Sequence, residues 1–417
     1  MDLNKKRWFV LIASLAINLC IGTGYAWSVF AKPLTEQFAW TAAQTALAFT
    51  VCNAISPVTM ISGGRIQDAF GPRWVIFVGG LLFGGGVFLC GLSKTLPWLV
   101  ISYGIVAGLG MGLVYSCTIA NTVKFFPDKR GLVGGLTTAG YGLGSVLVPP
   151  FANALIMSKG ILPTFKILGI IYLIVICGFS FLIMRAPANF IPEGWTPPEP
   201  SKTSSASGVD KTWKQMLADP IFYVMLIMLL IGAFSGLMIT SQASPIAQGV
   251  VGVTPAQAAI AVSVLALFNS GGRLLCGVVS DKIGRINTLT CIFIIAAVMM
   301  MLLTTVGPGD YILFLIAVSG IGLCFGGFMG VYPAFTADSF GPKNNGVNYG
   351  IMFCGFALAG YFGPRTAASV SAANGGAYTK AFIIAAVLSI IGLGITFIYR
   401  AMRKKAMLAL KNAENQA

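Results

Sequence analysis

The sequence predicts an all-α membrane protein with twelve transmembrane helices in two six-helix halves, and three observations carry that expectation. A chain of 417 residues that is 56% hydrophobic and 9% charged, with a mean hydropathy of +0.84, has too little polar surface to cover a water-soluble globule. Apolar runs of about 20 residues, each long enough to cross roughly 30 Å of hydrocarbon as a helix, recur through the chain. A charged, Gly-bounded segment, Gly64-Arg-Ile-Gln-Asp-Ala-Phe-Gly-Pro-Arg73, returns as Gly277-Val-Val-Ser-Asp-Lys-Ile-Gly-Arg-Ile286, so one half echoes the other.

The spans follow in order at 8–31, 41–62, 74–93, 97–120, 131–155, 163–184, 220–243, 255–278, 287–306, 311–336, 347–369 and 379–400. The first follows Lys5-Lys6-Arg7 and has the flank of a signal peptide. It runs past 20 residues without a small-residue cleavage site, so it reads as helix one. A polar stretch rich in Pro, Ser, Lys and Glu divides the chain into an N-terminal half (1–187), a linker (188–219) and a C-terminal half (220–417). The nine cysteines, Cys20 to Cys354, are scattered inside spans without paired spacing. They read as small apolar packing residues rather than disulfides or metal ligands. The 51 glycines fit close helix approach in lipid.

Charge sets the expected orientation. Of the Lys and Arg residues, 20 fall on the side of the two termini and five opposite. The positive-inside rule then places both termini and the linker in the cytoplasm. The same asymmetry accounts for most of the net charge of +15, so no nucleic-acid partner is needed to explain it.

A second pair of segments repeats as well. Phe126-Pro-Asp-Lys-Arg-Gly131-Leu132 leads to Ala139-Gly-Tyr141-Gly-Leu-Gly144, and Phe340-Gly-Pro-Lys-Asn-Asn-Gly346 leads to Cys354-Gly-Phe356. Aligning Gly131 with Gly346 sets Tyr141 over Phe356. Internal duplication of this kind is a mark of secondary transporters, whose substrate sites lie near the bilayer midplane.

The duplicated Asp68 and Asp281 segments resemble the loop signature of the major facilitator superfamily. With Tyr25-Ala26-Trp27, Pro33 and Asn269-Ser270-Gly271-Gly272-Arg273, the chain resembles the bacterial oxalate/formate antiporter family, a branch near the monocarboxylate transporters. The resemblance covers nearly everything outside the linker and implies the major facilitator fold.

Arg273 stands apart from the other charges. It precedes Asp281 by eight residues, about 12 Å along a helix, which puts it deep in the bilayer. An Arg there costs at least about 2.5–3.5 kcal/mol on insertion scales and normally faces a cavity. A structural Arg satisfied by Asn269 or backbone carbonyls is the plainer alternative. Its planar donor fork suits a carboxylate, so a small organic acid is the expected ligand. Tyr141 and Phe356 sit about 15 Å in from their loops. Tyr115, Tyr332 and, further out, Tyr25 are the other aromatic candidates, each as well explained by packing, and Phe353 and Asn121 are weaker ones. Arg365 falls near the outer face, where interface anchoring accounts for it. Asp68 with Arg73, and Asp281 with Arg285, follow the ends of the second and eighth spans in this reading and are the gating candidates.

In the antiporters, the resemblance implies a second cation, a helix-eleven Lys at the position of Phe356. One cation against an aromatic wall suits a monoanion rather than a dianion. The mammalian monocarboxylate transporters carry an Asp one turn before the helix-eight Arg, where this chain has Asn269. The expectation is therefore a secondary active transporter of small monocarboxylates of the lactate or pyruvate type, proton-coupled, working by alternating access. It would be a multi-pass monomer of a bacterial plasma membrane, with lipid and protons as its other partners and no cofactor or metal. The alternatives are an oxalate/formate-type exchanger and a non-transporting anion receptor. An intramembrane enzyme has little support, since the chain has no His and no nucleophile motif or buried acid pair.

Overall fold

In the computed structural model, residues 3–187, 190–195 and 210–414 are described, and among them every regular element is helical. Half of the linker expected at 188–219, namely 188–189 and 196–209, lies outside the described residues. Eleven helical runs among the described residues are long and apolar enough to cross a membrane, and the protein is a multi-pass membrane protein.

The chain forms two compact units. Unit 1 comprises residues 1–128, 136–195 and 343–351. It opens with α1 (Leu3–Ile21), a 3₁₀ turn at Gly22–Ala26 and α2 (Trp27–Phe38), so the expected first span is interrupted at depth. Next come α3 (Ala42–Phe70) and α4 (Pro72–Cys90). A short α5 (Leu96–Leu99) passes through a π turn at Val100–Ala107 into α6 (Gly108–Phe125). The unit also holds α7 (Arg130–Lys159) from residue 136 and α8 (Ile161–Ser180). Its helices pack as α4 on α8 and α6, α3 on α6, and α1 on α6 and α8.

Unit 2 comprises residues 129–135, 196–342 and 352–417. After the short α9 (Trp213–Leu217) come α10 (Pro220–Ile246), ending in a π turn at Ala247–Val251, then α11 (Pro255–Ile283), α12 (Arg285–Thr304) and α13 (Tyr311–Phe340). The expected eleventh span is two helices: α14 (Asn345–Met352), which belongs to unit 1 up to Ile351, and α15 (Cys354–Ala373) in unit 2, followed by α16 (Thr379–Glu414). The α14–α15 pair is rich in Gly, Ala and Ser and carries Arg365, which explains its absence from the eleven strongly apolar runs. Within unit 2, α11 packs on α13, α10 on α15, and α12 on α16.

Local chemistry fixes where α3 and α11 begin and end. Thr41 and Thr254 each accept the N–H of the Gln three residues on, while Gln44 and Gln257 return their side chains to the cap N–H. These matched capping boxes satisfy otherwise orphaned donors at both helix starts. At the other end, Gly71 and Gly284 have φ of +94° and +90°, a conformation that only Gly adopts cheaply. The helices therefore run through the repeated motif and stop at its second Gly. Asp68 and Asp281 lie in the last helical turn, which corrects their expected position beyond the helix end.

Candidate functional site

α11 delivers Arg273 ten residues before its end at Ile283, about 15 Å along the helix. The side chain is 1% exposed, and its Nε donates to Asn269 Oδ1 at 3.0 Å, one turn earlier. An amide oxygen held on one edge of a guanidinium fixes the plane of the fork.

The α13 helix holds this stretch of α11 through glycines every four residues. A Cβ added at Gly322, Gly326 or Gly330 would lie 2.6, 1.8 or 2.1 Å from the carbonyl oxygen of Leu265, Asn269 or Arg273 respectively. Small residues at this spacing let two membrane helices meet backbone to backbone. The result is a rigid mount for Asn269 and Arg273.

The aromatic candidates of unit 2 divide in two. Phe356 stacks on Phe353 at 4.5 Å and 24°, and runs nearly parallel to Phe325 at 6.2 Å and 7°. Tyr332 is buried, and its hydroxyl donates to the Met225 carbonyl at 2.8 Å, which ties α13 to α10. In unit 1, Tyr115 and Tyr141 meet edge to face at 5.0 Å, and Tyr141 Oη lies 3.5 Å from Met111 Sδ. Asn121 donates to the Met184 carbonyl at 2.9 Å and accepts from Ala186 N–H, so its amide fastens the segment after α8. The side chain of Tyr25 lies outside the described residues. Arg365 is exposed and sits over the Tyr361 ring at 3.8 Å.

The repeated carboxylates are both anchored to a helix start. In unit 1, Asp68 Oδ1 takes Lys124 Nζ at 2.7 Å and Oδ2 takes the Val347 N–H at 3.3 Å, while Lys124 also donates to the Lys343 carbonyl. In unit 2, Asp281 takes the N–H groups of Gly131 and Leu132, each at 2.8 Å, and Arg285 NH1 at 2.5 Å. The alignment that matches Gly131 with Gly346 also matches Leu132 with Val347, so the two carboxylates make the same bond in both repeats. A carboxylate at a helix N-terminus is favoured by unsatisfied N–H groups and by the helix dipole. Arg73 is not with Asp68; its Nε donates to the Ile183 carbonyl at 3.2 Å. Arg285 is with Asp281 and reaches Asp338 Oδ2 at 2.9 Å, whose Oδ1 takes Arg130 NH1 at 2.6 Å.

Lys124, Arg130 and Asp338 are thus parts of these clusters that the sequence reading did not select as gating residues. One signal was available: aligning Phe126 with Phe340, which needs one extra residue in the second copy before Gly346, places Lys124 over Asp338. Both repeats keep a charge there, of opposite sign.

Comparison with known proteins gives these geometries a context. The sequence model of the Major Facilitator Superfamily matches residues 12–364 and 251–415. The oxalate:formate antiporter of Oxalobacter formigenes is 30% identical over 98% of this chain and 96% of its own length. Monocarboxylate transporter 12 of Xenopus laevis is 26% identical over 95% of this chain and 88% of its own length. Among solved structures, the major facilitator transporter FucP shares the fold at a TM-score of 0.71, with 15% identity, over 95% of this chain and 98% of its own.

Proposed function

The chain belongs to the major facilitator superfamily, a family of transporters and not of enzymes, and we propose that it carries small monocarboxylates of the lactate or pyruvate type, coupled to protons. The observation that carries the proposal is Arg273: a cation 1% exposed, deep in a membrane helix, oriented by Asn269 and mounted on a glycine seam. A guanidinium held this way suits bidentate recognition of a carboxylate. Phe356, backed by Phe353 and Phe325, offers an apolar surface where a second cation would suit a dianion. Tyr115 and Tyr141 are further candidates for the substrate's apolar part. The relatives transport, by their names, oxalate, formate and monocarboxylates, which supports an organic anion as cargo.

In this reading Asp68 and Asp281 are latches. Their bonds to the α14 and α7 starts hold one state of the carrier and break in the other, so substrate is exposed to one face at a time. The protein sits in a bacterial plasma membrane with both termini cytoplasmic, as the basic residues favour. The second reading is an anion exchanger. It draws on the 30% identity to the oxalate:formate antiporter across nearly the full length.

Counterflow of labelled lactate, pyruvate, formate and oxalate into proteoliposomes, with and without a pH gradient, separates the readings. Lactate or pyruvate uptake driven by the gradient is expected. Oxalate–formate exchange indifferent to it would favour the exchanger, and saturable binding without uptake would make the protein a receptor.

A further inference from the structure

We propose that the corner between α3 and α4 in unit 1 is a binding site for the phosphate headgroup of an anionic phospholipid. Two exposed arginines meet there, Arg73 from the start of α4 and Arg185 from the segment after α8, and a third, Arg65, is exposed on α3 six residues before Gly71. Arg185 donates through NH1 to the Ala69 carbonyl at 3.2 Å and through NH2 to the Asp68 carbonyl at 2.8 Å. Its aliphatic stem passes 3.7 Å from where a Cβ would stand on Gly71. Arg73 donates through Nε to the Ile183 carbonyl. Among the described residues, none of the three arginines forms a salt bridge. A guanidinium has five N–H donors. The backbone carbonyls therefore fix the orientation of two forks while leaving donors and both full charges for a ligand.

The surroundings select a lipid. Next to the arginines, Phe70 is 85% exposed, Trp74 62% and Phe181 52%, with the Trp74 and Phe181 rings 6.4 Å apart. Large aromatic side chains this bare suit the boundary between hydrocarbon and headgroups. The corner lies where two apolar runs, ending at Phe70 and starting at Pro72, meet. A phosphodiester at that depth meets the fork geometry of Arg73 and Arg185 while its acyl chains lie along the aromatic face. The site reaches the latch through Arg185, which caps the carbonyl of the same Asp68 whose carboxylate holds Lys124. A bound headgroup would keep Arg185 over the α3 terminus and so steady Asp68.

The test uses the full chain in phosphatidylcholine nanodiscs, with and without phosphatidylglycerol. Phosphatidylglycerol should raise the melting temperature by several degrees and remain attached in native mass spectrometry. The double variant Arg73→Gln/Arg185→Gln should lose both effects, and Lys404→Gln, an exposed cation on α16, should keep them. If the double variant fails to fold, Arg65→Gln and Arg73→Lys carry the test, each expected to weaken retention. An undiminished phosphatidylglycerol response in the variants overturns the proposal, as does equal loss in Lys404→Gln, which would mean bulk charge attraction. Inorganic phosphate added without phosphatidylglycerol should give no shift; a full shift would assign the arginines to a soluble anion instead.

Discussion

Arg273 and Asn269 are joined by a 3.0 Å bond from Nε to Oδ1, one turn apart on α11. The bond places the guanidinium plane before any ligand arrives, so orientation is not a cost of binding. Arg273→Lys keeps the charge and loses both the fork and its anchor, because an ammonium is a point charge on a flexible stem. Lactate affinity should fall by about 2 kcal/mol or more, as for truncation of a buried charged pair, and Arg273→Ala should abolish binding. Equilibrium binding to purified protein checks both, and near-normal affinity in the Ala variant would remove Arg273 from the site.

The glycine seam gives a prediction with an internal control. A methyl at Gly326 would stand 1.8 Å from the Asn269 carbonyl oxygen, whereas one at Gly271, on α11 itself, meets nothing within 4 Å. Overpacking costs about 1–3 kcal/mol where side chains can yield, and here the obstacle is backbone. Gly326→Ala should lower the melting temperature and weaken substrate binding, while Gly271→Ala should do neither. Matching melting curves for the two variants would show that the seam does not hold the mount.

How much of this was legible in the sequence depends on the range of the interaction. Hydropathy and the repeat gave the helices, because lipid leaves the backbone few other choices. Depth counting reached Arg273, since a helix rises steadily with residue number. The placement of Asp68 failed because the span was expected to end at residue 62: charged residues and a Gly resemble a loop, yet the helix runs on to Phe70 and first stops at Gly71, where φ is positive. The partner of Asp68 was also missed. Lys124 is 56 residues away on α6, whereas the neighbouring Arg73 turns to the Ile183 carbonyl. Sequence proximity found the partner of Asp281, since Arg285 follows four residues on across the Gly284 turn, but it could not find one that lies on a distant helix.

Phe356 tests the preference for monoanions. It lies in a three-ring stack with Phe353 and Phe325, so Phe356→Lys loses ring contacts worth about 0.5–1.5 kcal/mol and adds a cation. A second cation needs a second anion to offset its desolvation. Preference should move from lactate toward oxalate. An unchanged ratio of oxalate to lactate binding, in protein that melts normally, would sink the idea.

The two latches should differ in strength. Asp281 accepts two N–H groups at 2.8 Å and Arg285, whereas Asp68 accepts the Val347 N–H at a longer 3.3 Å, with the Gly346 N–H also facing it, and Lys124. Asp→Asn at either position removes the charge that makes these bonds strong. Each variant should slow exchange in proteoliposomes, Asp281→Asn more than Asp68→Asn, while substrate affinity stays within a few fold, since state populations change and substrate contacts do not. Lost binding in folded protein would instead make them site residues.

Coupling is decided by how charge crosses the membrane. A bound carboxylate cancels the charge of Arg273, and the carrier must also return for the next cycle. The chain has no His. Asp338, near the end of α13, is occupied by Arg130 and Arg285 at 2.6 and 2.9 Å. A proton would then travel on the substrate or on water beside it, so that net transport is that of the neutral acid. Lowering the external pH raises the fraction of such pairs on the entry side, and lactate uptake should accelerate. The measurement is initial uptake of labelled lactate at fixed internal pH across a series of external pH values. If uptake ignores the gradient yet rises sharply when unlabelled anion is loaded inside, the return step is made by a second anion and the protein is an exchanger.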